Sequence, residues 1–138
     1  MLKRINQVSF KEAMNRAPKI RVLVADDSPT ALQSVCDYLE FAGGFEIVGT
    51  ASDGVNAVQL ASVQEPDLVL LDLSMPRVNG LEAAEQIHQR SPAMRVIIYS
   101  ELEGLSLGDE CTRHGADSFV SKSQLPEKLL LEIRRLFS

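Results

Sequence analysis

The sequence has no long apolar run. None of its apolar stretches approaches the roughly 18 residues that a membrane-spanning helix requires. The opening segment MLKRINQVSFKE is polar and charged, so it also lacks the apolar core of a secretory signal. These absences argue against membrane insertion and export, and we expect a cytoplasmic protein with no membrane partner.

Cysteine is scarce as well. The two cysteines, Cys36 and Cys111, both fall in segments with a helical pattern. Small domains that depend on disulfides use more cysteines, so a disulfide framework is not expected here. We expect two reduced and packed thiols, to which the sequence assigns no function.

Positive charge is scarce beyond the first residues. Residues 1–19 have a net charge of +4 and the whole chain has −5, which leaves −9 for residues 20–138. So negative a domain repels phosphate backbones, and we expect no direct binding of nucleic acid. We treat residues 1–19 as a basic N-terminal extension, in which Ser9 and Glu12 have capping-box spacing and predict a short helix. A solvated tail is the alternative.

The length and apolar content fit one domain. With 138 residues, of which 45% are apolar, the chain can bury a single sizeable core. From Ile20 onward, short runs rich in Val, Ile and Leu alternate five times with segments of helical period, as βα units do. Right-handed crossovers then predict a doubly wound, five-stranded parallel sheet of the flavodoxin-like (βα)5 type, in three α/β/α layers.

Strand and helix limits follow from the same alternation. The predicted strands cover residues 20–26, 45–51, 67–72, 95–100 and 117–121. The predicted helices run from Pro29 to the glycines at 43 and 44, from Asp53 to about Val63, over residues 81–90, between Leu105 and His114, and onward from about Gln124. Ser28 and Asp53 are the expected N-caps of the first two helices.

Polar residues follow four of the apolar strands, and we expect them to meet. They are Asp26 and Asp27, Asp72, Ser100 and Lys122. The carboxyl ends of parallel strands lie at one edge of the sheet, where such folds bind their ligands. Three carboxylates in one cleft repel one another unless they keep protons or bind a cation. Oxygen ligands of this kind suit Mg²⁺ or Mn²⁺, and Lys122 supplies a second positive charge.

This constellation suits phosphoryl transfer. The transition state spreads negative charge over three oxygens, which need cations or hydrogen-bond donors such as Lys122 and the Ser100 hydroxyl. Asp72 is the candidate nucleophile, because a carboxylate that attacks phosphorus forms an acyl phosphate. Such a product is labile, and its lability suits a reversible switch.

Four segments carry a resemblance to a known family. ADDSPT, LLDLSMPRVNG, IIYS and GADSFVSK are similar to the signature segments of two-component response-regulator receiver (CheY-like) domains, and the likeness covers residues 20–138. It implies that Asp72 is the phosphoacceptor and that Asp27 binds the metal directly. It also implies that Asp26 acts on the metal largely through water and that the backbone carbonyl of Ser74 is a further ligand.

The resemblance also implies a switch and its partners. Ser100 and Phe119 match the switch pair of the family, and Lys122 matches its lysine. A sensor histidine kinase or a phosphotransfer protein would phosphorylate the domain and so alter the face formed by the fourth helix, fifth strand and fifth helix. That face would bind a downstream protein or an output domain, from a monomer or a phosphorylation-dependent dimer. The domain would not be an enzyme beyond its own phosphorylation and slow autodephosphorylation.

Two positions depart from the family pattern. Glu101 stands where a small residue is usual, and its charge can disfavour a phosphoryl group. Ser123 stands where proline usually follows the lysine, so the cis peptide common there is in doubt. Both departures support one alternative, a degenerate receiver that binds proteins without phosphorylation.

Other functions and simpler roles compete with this hypothesis. A flavin carrier on the same fold needs a first loop that cradles phosphate, whereas Asp26 and Asp27 repel it. An aspartyl phosphatase needs a general acid two residues after the nucleophile, where this chain has Ser74. Taken singly, each aspartate is a common turn residue and Phe119 a common core aromatic, so only the combination favours a site.

Overall fold

The computed structural model describes residues 18–102 and 105–138. Within these ranges, five strands alternate with five helices. In chain order the elements are β1 (Ile20–Ala25), α1 (Pro29–Ala42), β2 (Phe45–Ala51), α2 (Gly54–Gln64), β3 (Leu68–Asp72), α3 (Gly80–Arg90), β4 (Arg95–Ser100), α4 (Leu105–Arg113), β5 (Ser118–Ser121), a 3-10 turn (Lys122–Gln124) and α5 (Glu127–Phe137). The predicted helix at Ser9 and Glu12 lies outside the described residues.

The strands form one parallel sheet in the order β2-β1-β3-β4-β5. This order confirms the predicted doubly wound, five-stranded fold. The chain winds outward from β1 to β2 on one side and from β3 through β4 to β5 on the other. The reversal places a crevice outside the carboxyl ends of β1 and β3, where doubly wound sheets bind ligands. Asp26 follows β1 and Asp72 ends β3, so both lie at this crevice.

The core has two layers because both faces of the sheet are covered. Along β1, Val22 and Val24 pack on the α1 and α5 side, whereas Leu23 and Ala25 pack on the α2, α3 and α4 side. This alternation is the period-two geometry of a strand, with apolar residues facing both ways. The whole of β3 is buried, as its unbroken apolar run predicts. The layers are therefore those of the predicted α/β/α sandwich.

Local capping sets the starts of the helices. The Ser28 side chain accepts a hydrogen bond from the Ala31 N–H, and Asp53 accepts one from the Asn56 N–H, which confirms both predicted N-caps. Asn79 caps α3 in a reciprocal capping box that sequence reasoning did not identify.

The last helix begins later than predicted. The residues that follow β5 form the 3-10 turn rather than the first turn of α5, and α5 begins at Glu127 instead of Gln124. Pro126 explains the difference, because the residue before a proline is driven out of the helical region. Leu129 and Ile133 are buried on the inner side of α5, as predicted. Among the described helices, none is long and apolar enough to cross a membrane.

Candidate active site

An open cleft lies at the carboxyl edge of the sheet. Its volume is about 330 Å³, and it is lined by Asp27, Ser28, Asp72, Ser74, Ser100, Glu101, Leu102 and Lys122. Five residues that the sequence singled out for the site therefore share one cleft, although they come from four different strand ends. Asp26 is fully buried beneath this cleft and contacts one of the lining residues, Lys122.

Strand alternation decides which side chains converge. Side chains two residues apart on a strand point to the same face. On one face of the sheet, apolar side chains are buried against α1 and α5. The same alternation, continued past the strand ends, directs Asp26, Asp72 and Lys122 to this face. Tyr99 of β4 also points there. The apolar residues two positions before the three charged ones are Val24, Leu70 and Val120. Hence two carboxylates, one ammonium and one phenol meet on the same side of the crevice.

Three carboxylates lie close enough to hold one cation. Asp26, Asp27 and Asp72 each offer an oxygen, and these oxygens lie within 4.8 Å of one another. Asp26 and Asp72 are buried and Asp27 is exposed. An all-oxygen set with one side open to solvent fits Mg²⁺ or Mn²⁺, since Mg²⁺ usually keeps several waters. The donor set therefore fits the divalent cation that the family implies.

Asp26 has donors on both oxygens. Its Oδ1 accepts a hydrogen bond from the Ser28 N–H at 2.9 Å. Its Oδ2 accepts one from the Tyr99 hydroxyl at 2.9 Å and one from Lys122 Nζ at 3.3 Å. A buried carboxylate is costly unless it is paired in this way. Sequence reasoning missed Tyr99, although a tyrosine in a buried strand needs a partner for its hydroxyl and so signals one.

Lys122 lies between the two buried acids. Its Nζ is 3.3 Å from Asp26 Oδ2 and 3.6 Å from Asp72 Oδ1. The ammonium also lies 5.2 Å from the centroid of the Tyr99 ring, within the range of a cation–π contact. Lys122 therefore partly neutralises the two carboxylates.

The surroundings of Asp72 raise the pKa of its carboxyl group. Burial, followed by the charge of Asp26 and a hydrogen bond with it, raises the pKa of Asp72 to about 7. Lys122 and the Ser74 N–H act in the opposite direction. A cation beside Asp72 would favour the ionised and nucleophilic form. Burial and the nearby acids raise the pKa of Tyr99, so its hydroxyl stays protonated and remains a donor.

The loop after Asp72 packs closely on its neighbours. The Ser74 N–H donates to Asp72 Oδ1 at 3.4 Å. A side chain at Gly80 would collide with the backbone carbonyl of Asp72, and one at Gly54 would collide with the Val78 carbonyl oxygen. The absence of a Cβ at both glycines allows α2 and α3 to begin against this loop.

Arg77 ties the same loop to α2. Its guanidinium forms an ion pair with Asp53, the residue that caps α2. Arg77 has a φ of 68°, which lies in the left-handed region. The backbone hydrogen bond from Asn56, followed by the one from Arg77, lowers the pKa of Asp53. Sequence reasoning missed this pair, since nothing in the local pattern of either residue indicates a partner 24 positions away.

The predicted switch residues lie on neighbouring strands. Ser100 is buried, and its hydroxyl oxygen accepts a hydrogen bond from the Leu102 N–H at 3.0 Å. Phe119 is half-buried and packs against the core layer under α2, α3 and α4. The register pairs Ile98 with Phe119, and Ser100 lies two residues beyond Ile98, so both switch candidates face the same side.

Glu101 and Ser123, the two departures from the family pattern, lie in different surroundings. Glu101 is exposed and lines the cleft, where the sequence placed its charge. Ser123 lies in the 3-10 turn, and the Ser121 hydroxyl oxygen accepts a hydrogen bond from its N–H at 3.4 Å. The peptide bond between Lys122 and Ser123 is trans; within the described part of the chain, the cis bond joins Leu125 and Pro126.

Several curated proteins are similar to this chain. The nitrate/nitrite response regulator protein NarL of Escherichia coli K12 is 32% identical over 117 residues, which are 85% of this chain and 54% of NarL. A protein-glutamate methylesterase/protein-glutamine glutaminase of Thermotoga maritima is 39% identical over 105 residues, which are 75% of this chain and 30% of that protein. The chain thus spans about half or less of the length of these relatives.

Solved structures and a family comparison agree with the fold. The response regulator domain of Thermotoga maritima CheB has a TM-score of 0.79 at 35% identity, with 86% of this chain and 96% of that chain covered. CheY in the CheX-CheY-BeF3-Mg complex of Borrelia burgdorferi has a TM-score of 0.82 at 29% identity, with coverages of 88% and 91%. The family model of the response regulator receiver domain matches residues 22–134. The chain therefore belongs to the response regulator receiver domain family of two-component signalling.

Proposed function

We propose that this receiver accepts a phosphoryl group on Asp72. The observation that carries the proposal is the meeting of three carboxylate oxygens within 4.8 Å, with Lys122 Nζ 3.6 Å from Asp72 Oδ1. Asp27 and Asp72, with the backbone carbonyl of Ser74, would hold Mg²⁺ or Mn²⁺ directly, and Asp26 would hold it largely through water. When bound, the cation would neutralise charge on the carboxylates and on the incoming phosphoryl oxygens.

The chain's own residues have distinct tasks in this step. A carboxylate oxygen of Asp72 attacks phosphorus, the new O–P bond forms, and the bond from phosphorus to the donor's nitrogen or oxygen breaks. The leaving group takes the electron pair of the broken bond; a histidine nitrogen also takes a proton from solvent, whereas acetate leaves as the anion. Lys122 and the Ser100 hydroxyl hold phosphoryl oxygens as charge moves onto them. Ser74 stabilises the ionised form of Asp72 through its N–H.

Phosphorylation would then be transmitted through the switch pair. The Ser100 hydroxyl now accepts a hydrogen bond from the Leu102 N–H, and its side chain would rotate toward the cleft to donate its proton to a phosphoryl oxygen. Phe119, half-buried on the neighbouring strand, would fill the vacated space. The face that changes would be formed by α4, β5 and α5, next to the moving residues.

The partners belong to the same proposal. A sensor histidine kinase or a phosphotransfer protein would supply the phosphoryl group. A downstream protein or an output domain would bind the altered face, since the similar curated proteins extend well beyond the matched region. The CheY structure above contains a second protein, CheX, with BeF3 and Mg, which supports this class of partner for a receiver. The protein would act as a monomer or a phosphorylation-dependent dimer.

We place the receiver at residues 20–138 and the basic extension at residues 1–19. The domain would act as a switch and catalyse only its own phosphorylation and slow autodephosphorylation. Cys36 and Cys111 are free and buried, which is compatible with a cytoplasmic location, and the net charge of −9 on residues 20–138 argues against nucleic acid as a partner.

A mass measurement tests the proposal. The unaltered protein, Asp72→Asn and Asp109→Asn would be incubated with acetyl phosphate, with and without Mg²⁺. Asp109 is an exposed acid on α4 and serves as the matched control. We expect one Mg²⁺-dependent phosphoryl adduct on the unaltered and control proteins and none on Asp72→Asn. An adduct that persists in Asp72→Asn would overturn the assignment, and no adduct on any protein would favour the phosphorylation-independent alternative.

A further inference from the structure

Tyr99 is a buried neighbour of two of the charged groups at the site, Asp26 and Lys122. It is 1% exposed and lies in β4, where it pairs with Asp72 in the parallel register. Its side chain points to the α1 and α5 side of the sheet, where Asp26 and Lys122 also lie. None of the roles assigned so far to the metal ligands, the nucleophile or the switch pair includes this tyrosine.

The hydroxyl of Tyr99 fixes the Asp26 carboxylate. It is 2.9 Å from Asp26 Oδ2 and 3.5 Å from the Ala25 carbonyl oxygen. A hydroxyl has one proton to donate, and the shorter contact with the charged acceptor takes it. The Ser28 N–H holds the other oxygen at 2.9 Å, so the carboxylate is held from both ends.

The ring of Tyr99 contacts Lys122. The ammonium lies 5.2 Å from the ring centroid and only 3.3 Å from the same Asp26 oxygen that the hydroxyl holds. Lys122 therefore competes with a divalent cation for this carboxylate. Without the hydroxyl, Lys122 would be the one cationic donor in contact with Asp26 among the described residues, and the carboxylate would turn toward it.

We propose that Tyr99 is a positioning residue that sets the affinity of the site for its divalent cation. It acts through Asp26, by holding the carboxylate against the attraction of Lys122. The inference rests on the proposed function only in its choice of metal site. Loss of a hydrogen-bond partner of a metal ligand commonly weakens metal binding by about 10- to 100-fold. Because Asp26 keeps the Ser28 N–H and acts on the cation largely through water, we expect the lower end, about tenfold.

The test measures metal binding without any phosphodonor. Mn²⁺ would be titrated into the unaltered protein, Tyr99→Phe and Tyr38→Phe, with free Mn²⁺ followed by electron paramagnetic resonance. Tyr38 is a partly exposed tyrosine on α1, so its variant controls for the loss of a phenol hydroxyl. Tyr99→Phe should raise the Kd for Mn²⁺ about tenfold, and Tyr38→Phe should leave it unchanged. A rise of less than threefold in Tyr99→Phe overturns the proposal.

Two further readouts separate positioning from a merely structural role. In an Asp26→Asn background, adding Tyr99→Phe should change the Kd for Mn²⁺ by less than twofold; a larger change would show that Tyr99 does not act through Asp26. In the unaltered protein labelled with ¹³C at tyrosine Cζ, Mg²⁺ should shift the Tyr99 signal and leave Tyr38 unmoved. This measurement uses the unaltered protein, so it does not depend on whether a variant folds. A Tyr99 signal that does not shift with Mg²⁺ would contradict the proposal.

Activity then distinguishes this inference from the proposed function. The Mg²⁺ concentration for half-maximal phosphorylation by acetyl phosphate should rise about tenfold in Tyr99→Phe, while the rate at saturating Mg²⁺ changes less than threefold. The positioning role is overturned if Tyr99→Phe is phosphorylated more slowly at saturating Mg²⁺ while the Mg²⁺ concentration for half-maximal phosphorylation stays the same. A protein that shows the Mn²⁺ results and takes no phosphoryl group would refute the proposed function and leave this inference intact.

Discussion

Replacing Asp72 by Asn should stabilise the metal-free protein above neutral pH. Asp72 is 5% exposed and lies beside the buried Asp26. Its burial, followed by the charge of Asp26, raises the pKa of the Asp72 carboxyl from 3.8 to about 7. At pH 8 without metal, the folded protein therefore contains a buried charge that the unfolded chain solvates well. Asparagine keeps the shape and the acceptor for the Ser74 N–H, and it removes the charge.

The sign and the size follow from proton linkage. A raised pKa means that the folded state binds the proton more tightly, so its contribution to stability is full below the unfolded pKa of 3.8 and is lost as pH rises through about 7. A difference of about three in pKa corresponds to about 4 kcal/mol of lost stability at pH 8. The variant also loses its contact with Lys122, so we expect a net gain of about 2 kcal/mol, or about 6 °C in melting temperature.

Thermal unfolding in EDTA, followed by circular dichroism at pH 8 and pH 5, tests this reasoning. The advantage of Asp72→Asn over the unaltered protein should be clear at pH 8 and near zero at pH 5, because Asp72 is mostly protonated there. Asp109→Asn, which removes an exposed acid, should match the unaltered protein at both pH values. The reasoning is refuted if Asp72→Asn is no more stable at pH 8, or if its advantage is the same at pH 5.

Three other predictions follow from the same structure. Mg²⁺ at ten times its Kd should stabilise the unaltered protein by about 1.4 kcal/mol in thermal unfolding at pH 8, and Asp27→Asn should lose most of this gain; an equal gain in both proteins would contradict the ligand set. Glu101→Ala should speed phosphorylation by acetyl phosphate about fivefold, because it removes a like charge worth about 1 kcal/mol from the cleft; an unchanged rate in the mass assay would remove Glu101 as a brake. Gly54→Ala should lower the free energy of unfolding in urea by about 3 kcal/mol, because the new Cβ would collide with the Val78 carbonyl. Gly108→Ala on α4, which has open space around it, should be neutral or stabilising. Similar effects at both glycines would contradict the close approach of α2.

The fold was predictable because its signals are local and consistent. Runs of Val, Ile and Leu alternate with helical segments, and Ser28 and Asp53 mark where two of the helices begin. Right-handed crossovers then leave few ways to arrange five such units. The error at the start of α5 arose at Pro126, where a 3-10 turn precedes the helix and interrupts a pattern that looks helical.

The sequence predicted which residues form the site but did not predict their contacts. Polar residues end or follow four of the five strands, and strand ends share one edge, so Asp26, Asp72 and Lys122 were expected to meet. The hydrogen bond from Tyr99 to Asp26 joins residues 73 positions apart, and the ion pair of Arg77 with Asp53 joins residues 24 apart. Such contacts depend on the reach and direction of individual side chains, which sequence periodicity does not specify.

The central claim concerns the bond that forms at Asp72, and the most direct measurement is to locate it. The protein would be phosphorylated with acetyl phosphate and Mg²⁺, reduced with borohydride to trap an acyl phosphate, digested and mapped by mass spectrometry. The account predicts that the trapped residue is Asp72 and that omission of Mg²⁺ abolishes the modification. Trapping at another carboxylate, or a phosphoryl group that resists borohydride as a serine ester does, would contradict it.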